Sequence, residues 1–456
     1  MLDLFLLSFI GLFLALGLKR PFFWVLAYVY IDIVAPQKVG WSLVTILPLS
    51  AIAFAAAFGG WLLFDSKEGS RFTLRQGLIG VLLVYCYWTT QHADFPEDAL
   101  VKWEWAWKAL LFGMFLPLTL RTKVRIEAAV LVIVLSLGTI VINGAIKTIL
   151  GGGGYGELAL LAPGNNGIYE SSILSASAIS LIPLSLWLAR HGTIFRPEWR
   201  VSLFAAGLIF SSLLIPVGLA ARTGLVCAAV VGLMIWRSSR SKLLFAGLAA
   251  VGVLVAIPFL PQSYLARMGT ISNHESDSSA STRVQVWLWT LDYVETHPLG
   301  GGFDAYRGNS FTYYTRTVEG PPGNPQVKFE KVTDKARAYH NSYFEMLGEQ
   351  GWPGLAIWLW LHLLGLWHME RLRWRFRCLQ RDGGDWRWGL ATALQQAHVS
   401  YLVGSVFVGI AFQPFAFLLV GVQIALWSYV RRTEVPARRT KVARTTPPAE
   451  PAASAS

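Results

Sequence analysis

Ala338-Tyr339-His340-Asn341-Ser342-Tyr343-Phe344-Glu345-Met346-Leu347-Gly348-Glu349-Gln350-Gly351 closes a polar stretch that begins near Ser263 and separates two blocks of apolar segments. A loop of that length with no core of its own is uncommon unless it carries function. The chain on either side is composed for another solvent. Of its 456 residues, 54% are hydrophobic and only 14% are charged, whereas a soluble chain carries roughly 25% charged residues. The composition is that of an integral membrane protein.

Apolar runs fall at about 4–18, 21–35, 42–64, 76–90, 104–120, 127–149, 171–190, 201–220, 223–237, 243–260, 352–368, 390–411 and 415–430. A crossing helix takes about 20 residues, with a range of about 17–25. The first two runs are shorter and are divided only by Lys19-Arg20-Pro21, so they read as two short crossings or one broken element. The expectation is an all-α polytopic membrane protein of twelve or thirteen transmembrane helices, with one large outer loop containing short helices. Five segments follow: N-terminal helices over 1–150, central helices over 151–260, the loop over 261–351, C-terminal helices over 352–432, and a tail over 433–456. The tail has the Pro/Ala/Ser composition of a disordered segment.

Basic residues cluster between the runs: Lys67, Arg71 and Arg75; Arg121, Lys123 and Arg125; Arg196 and Arg200; Arg237, Arg240 and Lys242; six arginines from Arg371 to Arg387; and the tail from Arg431. Each neighbouring pair of clusters is two crossings apart, so all can face the cytoplasm together, the C-terminus included. The long loop holds eight basic residues against ten acidic ones and faces outward. The net charge of +12 therefore reflects membrane orientation. With no basic patch on a soluble fold, nucleic acid is set aside as a partner. Cys86, Cys227 and Cys378 are far apart and form neither a disulfide framework nor a CxxC metal site. Met1-Leu2-Asp3-Leu4 lacks the basic start of a cleaved signal and reads as a retained membrane segment.

Within the loop, Ser281-Thr282-Arg283-Val284-Gln285-Val286-Trp287-Leu288-Trp289-Thr290-Leu291 predicts an amphipathic helix, stopped by His297-Pro298-Leu299-Gly300-Gly301-Gly302. A mobile Gly/Pro/Lys-rich piece is expected over 315–335. A second helix over about 339–349 is expected to end at Gly351, with Pro353 two residues on. Gly151–Gly154 and Gly300–Gly302 match no P-loop and read as flexible turns.

Three residues could carry chemistry. His340 stands at the expected start of a helix behind Lys335-Ala336-Arg337, and both the helix N-terminus and the cations disfavour imidazolium. A neutral imidazole can accept a proton from an alcohol, although a histidine here can equally cap or brace the loop. Arg222, between two apolar runs, sits at the outer membrane surface, where an arginine lines a cavity or snorkels to headgroups. Arg283 lies one helical turn from Trp287, whose ring can hold a guanidinium, or it is an ordinary surface arginine. Two arginines converging from membrane and loop would suit a diphosphate, which guanidinium groups grip in bidentate fashion. No Asp-x-Asp clamp for a metal is present. His362, His368 and His398, in or beside apolar runs, read as packing or interfacial residues.

Ala221-Arg222-Thr223-Gly224, Arg283-x-x-x-Trp287 followed by Pro298-Leu299-Gly300-Gly301-Gly302, and His340-Asn341 with Gly348 and Gly351-Trp352-Pro353-Gly354 together resemble the O-antigen ligase and O-antigen polymerase superfamily. Thr223 replaces the small residue that usually follows the arginine there. The N-terminal block resembles the branch of O-glycosylation ligases that accompany exosortase systems. The resemblance implies a transmembrane lipid-linked-sugar glycosyltransferase (GT-C-like) in the bacterial inner membrane, with its active site facing the periplasm. It implies a glycan donor on undecaprenyl diphosphate, a sugar hydroxyl of lipid A-core as acceptor, and an inverting reaction without metal or cofactor. His340 would be the general base, and Arg222, Arg283 and Arg337 would bind the departing diphosphate. A polymerase or a protein O-oligosaccharyltransferase would use the same donor. A polysaccharide transporter would want charged groups in several mid-membrane helices, and the apolar runs are almost free of them.

Overall fold

The computed structural model describes residues 2–150, 167–238, 241–243, 247, 278–319, 326–380 and 384–434. The glycines at 151–154, nearly all of the run at 243–260, the loop before 278 and the tail from 435 lie outside them. The N-terminal and central helices are α1 (Leu2–Lys19), α2 (Phe22–Val34), the single turns α3 (Pro36–Val39) and α4 (Leu43–Ile46), α5 (Leu49–Phe64), α6 (Leu74–Gln91), α7 (Pro96–Thr119), α8 (Lys123–Leu150), α9 (Ser171–His191), α10 (Trp199–Gly218) and α11 (Arg222–Ser238). There follow α12 (Ser278–Thr296), the hairpin β1 (Ser310–Glu319) and β2 (Gln326–Lys335), α13 (Ser342–Phe376), α14 (Trp386–Gly404) and α15 (Pro414–Glu434).

Helix on helix is the dominant packing. α9 lies against α10, α11 and α14, α15 against α7, and α13 against α6, α14 and the loop helix α12. Among the described residues, six helical spans are long and apolar enough to cross a membrane: Leu2–Lys19, Phe22–Val39, Lys123–Leu150, Ser171–His191, Trp199–Gly218 and Pro414–Thr433. The protein is therefore polytopic. α6, α7, α13 and α14 are long as well but more polar, and in α6, α13 and α14 polar side chains such as Arg75, Gln76, His362, Gln396 and His398 are buried.

Several boundaries differ from the apolar runs. The first two runs are separate helices, α1 packing on α2. The run at 42–64 breaks around Pro48, leaving α5 with 16 residues. The run at 390–411 leaves the helix at Gly404, because the following turn is bonded to the start of α13. Ser342 N donates to Ser405 O (2.7 Å), Ser342 Oγ donates to Val408 O (2.9 Å), and Ile410 N donates to Ser342 Oγ (2.8 Å). The stretch expected to be a mobile piece is part of an antiparallel hairpin, paired from Ser310 with Lys335 to Glu319 with Gln326. The composition of 315–335 hid alternating β-branched and aromatic residues that favour strands. The loop is thus not built of helices alone.

The expected stop at Gly351 is a kink. Gly351 adopts φ 61°, ψ −169° inside α13, and Pro353 falls in the first turn of the resumed helix, where its missing N–H is tolerated. The kink is held by the Pro298–Gly302 segment. Gly301 N donates to Gly348 O (3.0 Å), Gly302 N to Glu349 O (3.0 Å), and Trp352 N to Pro298 O (3.0 Å). Gly300–Gly302 is therefore no flexible turn but a close backbone-to-backbone junction. A Cβ at Gly300 would stand 2.5 Å from Glu349 O, and Gly300 has φ +89°.

Two further expectations change. Arg75, counted with the cytoplasmic loop cations, is 1% exposed and donates to Gln423 Oε1 across the bundle (3.0 Å). His362 and His398, read as packing or interfacial residues, are buried and bonded to each other (2.7 Å). Replacing Gly300 by Ala combines a clash with a strained φ, which costs on the order of 1–3 kcal/mol. Gly300→Ala should lower the thermal unfolding midpoint of the detergent-purified protein, while Gly59→Ala, where an added Cβ would meet nothing within 4 Å, should not lower it.

Candidate functional site

Asn341 explains why α13 begins where it does. Its Oδ1 accepts from Tyr343 N (2.8 Å) and Phe344 N (3.3 Å), capping the helix. His340 precedes the cap in a left-handed conformation, φ 47°, so it stands outside the helix rather than at its first turn. Trp287 of α12 braces the same segment: its Nε1 donates to Tyr339 O (2.9 Å) and its ring stacks on Phe344, centroids 5.2 Å apart.

His340 forms part of the wall of a cavity of about 360 Å³, which also meets Lys102, Trp105, Glu170, Asp304, Tyr306 and Glu345. Burial lowers the His340 pKa to about 4, helped by the nearby guanidinium groups of Arg283 and Arg337. The environment thus disfavours imidazolium. The main physical cause is burial, with the cations second.

Three of the four expected site residues therefore gather: His340, Arg283 and Arg337. Arg337 is held from two sides. Its backbone N and O pair with the amide of Asn309 (2.9 and 2.8 Å), and its guanidinium lies 3.6 Å from Asp334. Arg222 is half-buried at the head of α11. That helix start presses on α9, since a Cβ at Gly224 would stand 2.8 Å from Ser175 Cβ. Ile173, two residues before Ser175, lines the His340 cavity, whereas Arg222 is not part of that lining.

Below His340 lies a charged cluster that sequence reading missed. Lys102 Nζ, on α7, bonds Glu345 Oε1 (2.6 Å) and Glu349 (2.7 and 3.0 Å) and lies 3.8 Å from Asp304. Ala411 N donates to Glu345 (3.1 Å) and Asp304 N to Glu349 (3.1 Å). One lysine thus ties together α7, the turn after the glycine junction, the first half of α13 and the turn before α15. Burial holds Glu349 above the usual carboxylate range despite Lys102, with Glu345 and Asp304 pushing the same way. Asp304 is likewise raised, chiefly by burial. The signal available in the sequence was the i, i+4 spacing of Glu345 and Glu349, which puts two carboxylates on one helix face beside an apolar segment.

Two family models match the chain. One, described as O-antigen ligase, matches residues 206–359, and one described as a family of unknown function matches residues 1–193. A search of the curated proteins finds no match.

Removing one partner of a buried ion pair costs about 3–5 kcal/mol, because the remaining charge is left unpaired. Lys102→Met should therefore lower the unfolding midpoint strongly. The unpaired carboxylates would have raised pKa values in the folded state, so the folded form binds more protons and the deficit should shrink as pH falls toward the ordinary carboxylate range. A deficit independent of pH would argue against charge as its origin.

Proposed function

Because the chain belongs to the O-antigen ligase superfamily through its domain at 206–359, whose members work as ligase- or polymerase-type enzymes, we propose that it is an O-antigen ligase. In this reading it moves a glycan from undecaprenyl diphosphate to a sugar hydroxyl of lipid A-core. The carrying observation is His340 in a cavity wall, kept neutral by burial and by Arg283 and Arg337 beside it. His340 takes the proton of the acceptor hydroxyl as its oxygen attacks the anomeric carbon. The bond from that carbon to the diphosphate breaks, and the electron pair leaves with undecaprenyl diphosphate. Attack opposite the leaving group inverts the anomeric centre. Arg222, Arg283 and Arg337 offset the charge that develops on the diphosphate, which needs no metal or cofactor for activation. A general base contributes about 10²–10⁴-fold, and fixed charges at the leaving group add several kcal/mol in a dry site.

The orientation belongs to the same proposal. Twelve or thirteen crossings in a GT-C-like arrangement, with the basic loops and C-terminus cytoplasmic, put this cavity on the periplasmic face of the inner membrane.

Reconstituted with lipid-linked glycan and core acceptor, His340→Ala present at normal abundance should lose transfer by at least 10²-fold, and chelator should leave the wild type unaffected. Arg222→Lys with Arg283→Lys should be poor, since a point charge lacks the guanidinium fork; full activity in the double variant would remove the diphosphate role. Product analysis separates ligation onto lipid A-core from chain polymerisation.

The pH profile tests the base itself. A catalytic base works once deprotonated, so with the His340 pKa at about 4 the acid limb of kcat/KM should fall well below the roughly 6.5 of free imidazole. Arg337→Gln removes a cation that disfavours imidazolium and should move that limb upward. A limb that stays put in Arg337→Gln would assign it to another group.

A further inference from the structure

A second polar construction lies inside the bundle, away from the cavity. Arg75 of α6 donates from Nη2 to Gln423 Oε1 on α15 (3.0 Å). Gln423 Nε2 meets His398 Nδ1 on α14 (2.9 Å), and His398 Nε2 meets His362 Nδ1 on α13 (2.7 Å). All four side chains are buried, none more than 2% exposed.

The direction of every bond in this line follows from its first member. A guanidinium only donates, so Gln423 must turn its oxygen to Arg75 and its amide N–H to His398. His398 Nδ1 therefore accepts, its proton sits on Nε2, and His362 Nδ1 accepts in turn. The remaining His362 proton is left on Nε2. That atom has no partner, nor have Arg75 Nε and Nη1. Gly365 is what lets the line close: a Cβ there would stand 2.4 Å from Arg75 Nη2 and 2.7 Å from Gln423 Oε1. Among the described residues no carboxylate pairs with Arg75.

The line thus ends in unpaired N–H donors, carries a net positive charge, and offers no acceptor at either end. A buried charge without a counter-charge and a buried donor without an acceptor are both destabilising. We propose that the interior of the α6–α13–α14–α15 packing holds a small inorganic anion of the chloride class, bound by Arg75 Nε and Nη1. A lipid phosphate would bring the same chemistry. The enclosure of Arg75 excludes a headgroup that must keep its acyl chains in the bilayer.

This site is independent of the glycosyl-transfer reading, and its test reads stability rather than activity. The full chain, purified in neutral detergent, is unfolded thermally at constant ionic strength while gluconate is replaced by chloride or bromide. Binding to the folded form alone should raise the midpoint saturably, by about 2–5 °C. Arg75→Gln should abolish the dependence. If that variant does not fold, the saturable shift in the wild type, with bromide replacing chloride and gluconate not, still carries the test. Equal midpoints in chloride and gluconate would overturn the proposal, as would a shift that persists in Arg75→Gln. A shift produced only by anionic phospholipid, in the absence of chloride, would assign the site to a headgroup and overturn it equally.

Discussion

The position of His340 depends on the buried bonds of Lys102 to Glu345 and Glu349. His340 has no regular structure of its own to hold it; it lies in a left-handed conformation just before a helix cap. What it has is a helix segment fastened from below. A lysine in a low-dielectric interior is stable only with its carboxylates in place. That mutual need joins α7, the turn at Asp304, the first half of α13 and the turn at Ala411 into one unit. The arrangement contributes specificity of position more than net stability.

The glycine junction does the complementary work with backbone alone. Between Pro298 and Gly302 on one side and Gly348 and Trp352 on the other, three backbone hydrogen bonds pass through a gap too narrow for a Cβ. The kink it holds at Gly351 turns the first part of α13 away from the axis of the rest. A straight helix would carry the carboxylate pair and the Asn341 cap along one continuous line. Bent, it presents Glu345 to Lys102 and leaves His340 at the cavity wall.

The electrostatics divide around His340. The cavity side carries Lys102 with Glu170, Asp304 and Glu345, an acid-rich set, whereas Arg283 and Arg337 act on the imidazole as cations. For a reaction in which a hydroxyl loses a proton on one side and a diphosphate gains charge on the other, such a division is useful. In the proposed reaction a base between them is kept neutral by burial and by Arg283 and Arg337.

Composition and periodicity by themselves determined that this chain is a polytopic membrane protein. They also marked His340, Arg222 and Arg283 as candidates, because hydrophobic run length, Gly/Pro punctuation and clustered cations are local properties, while Arg337 came with the family resemblance. α12 was legible for the same reason: its start signal, apolar spacing and stop all lie within some twenty residues. The hairpin was missed because pairing Ser310 with Lys335 is a non-local choice that Gly/Pro/Lys composition does not announce. Only the tertiary structure decided that Gly351 is a kink, that Gly300–Gly302 is a junction, and that Lys102 belongs with Glu345 across more than two hundred residues of chain. It also moved Arg75 from a loop cation to the head of a buried hydrogen-bonded line. In each case the deciding energy is the desolvation of a backbone group or a charge, and that depends on what packs against the residue rather than on its neighbours in sequence.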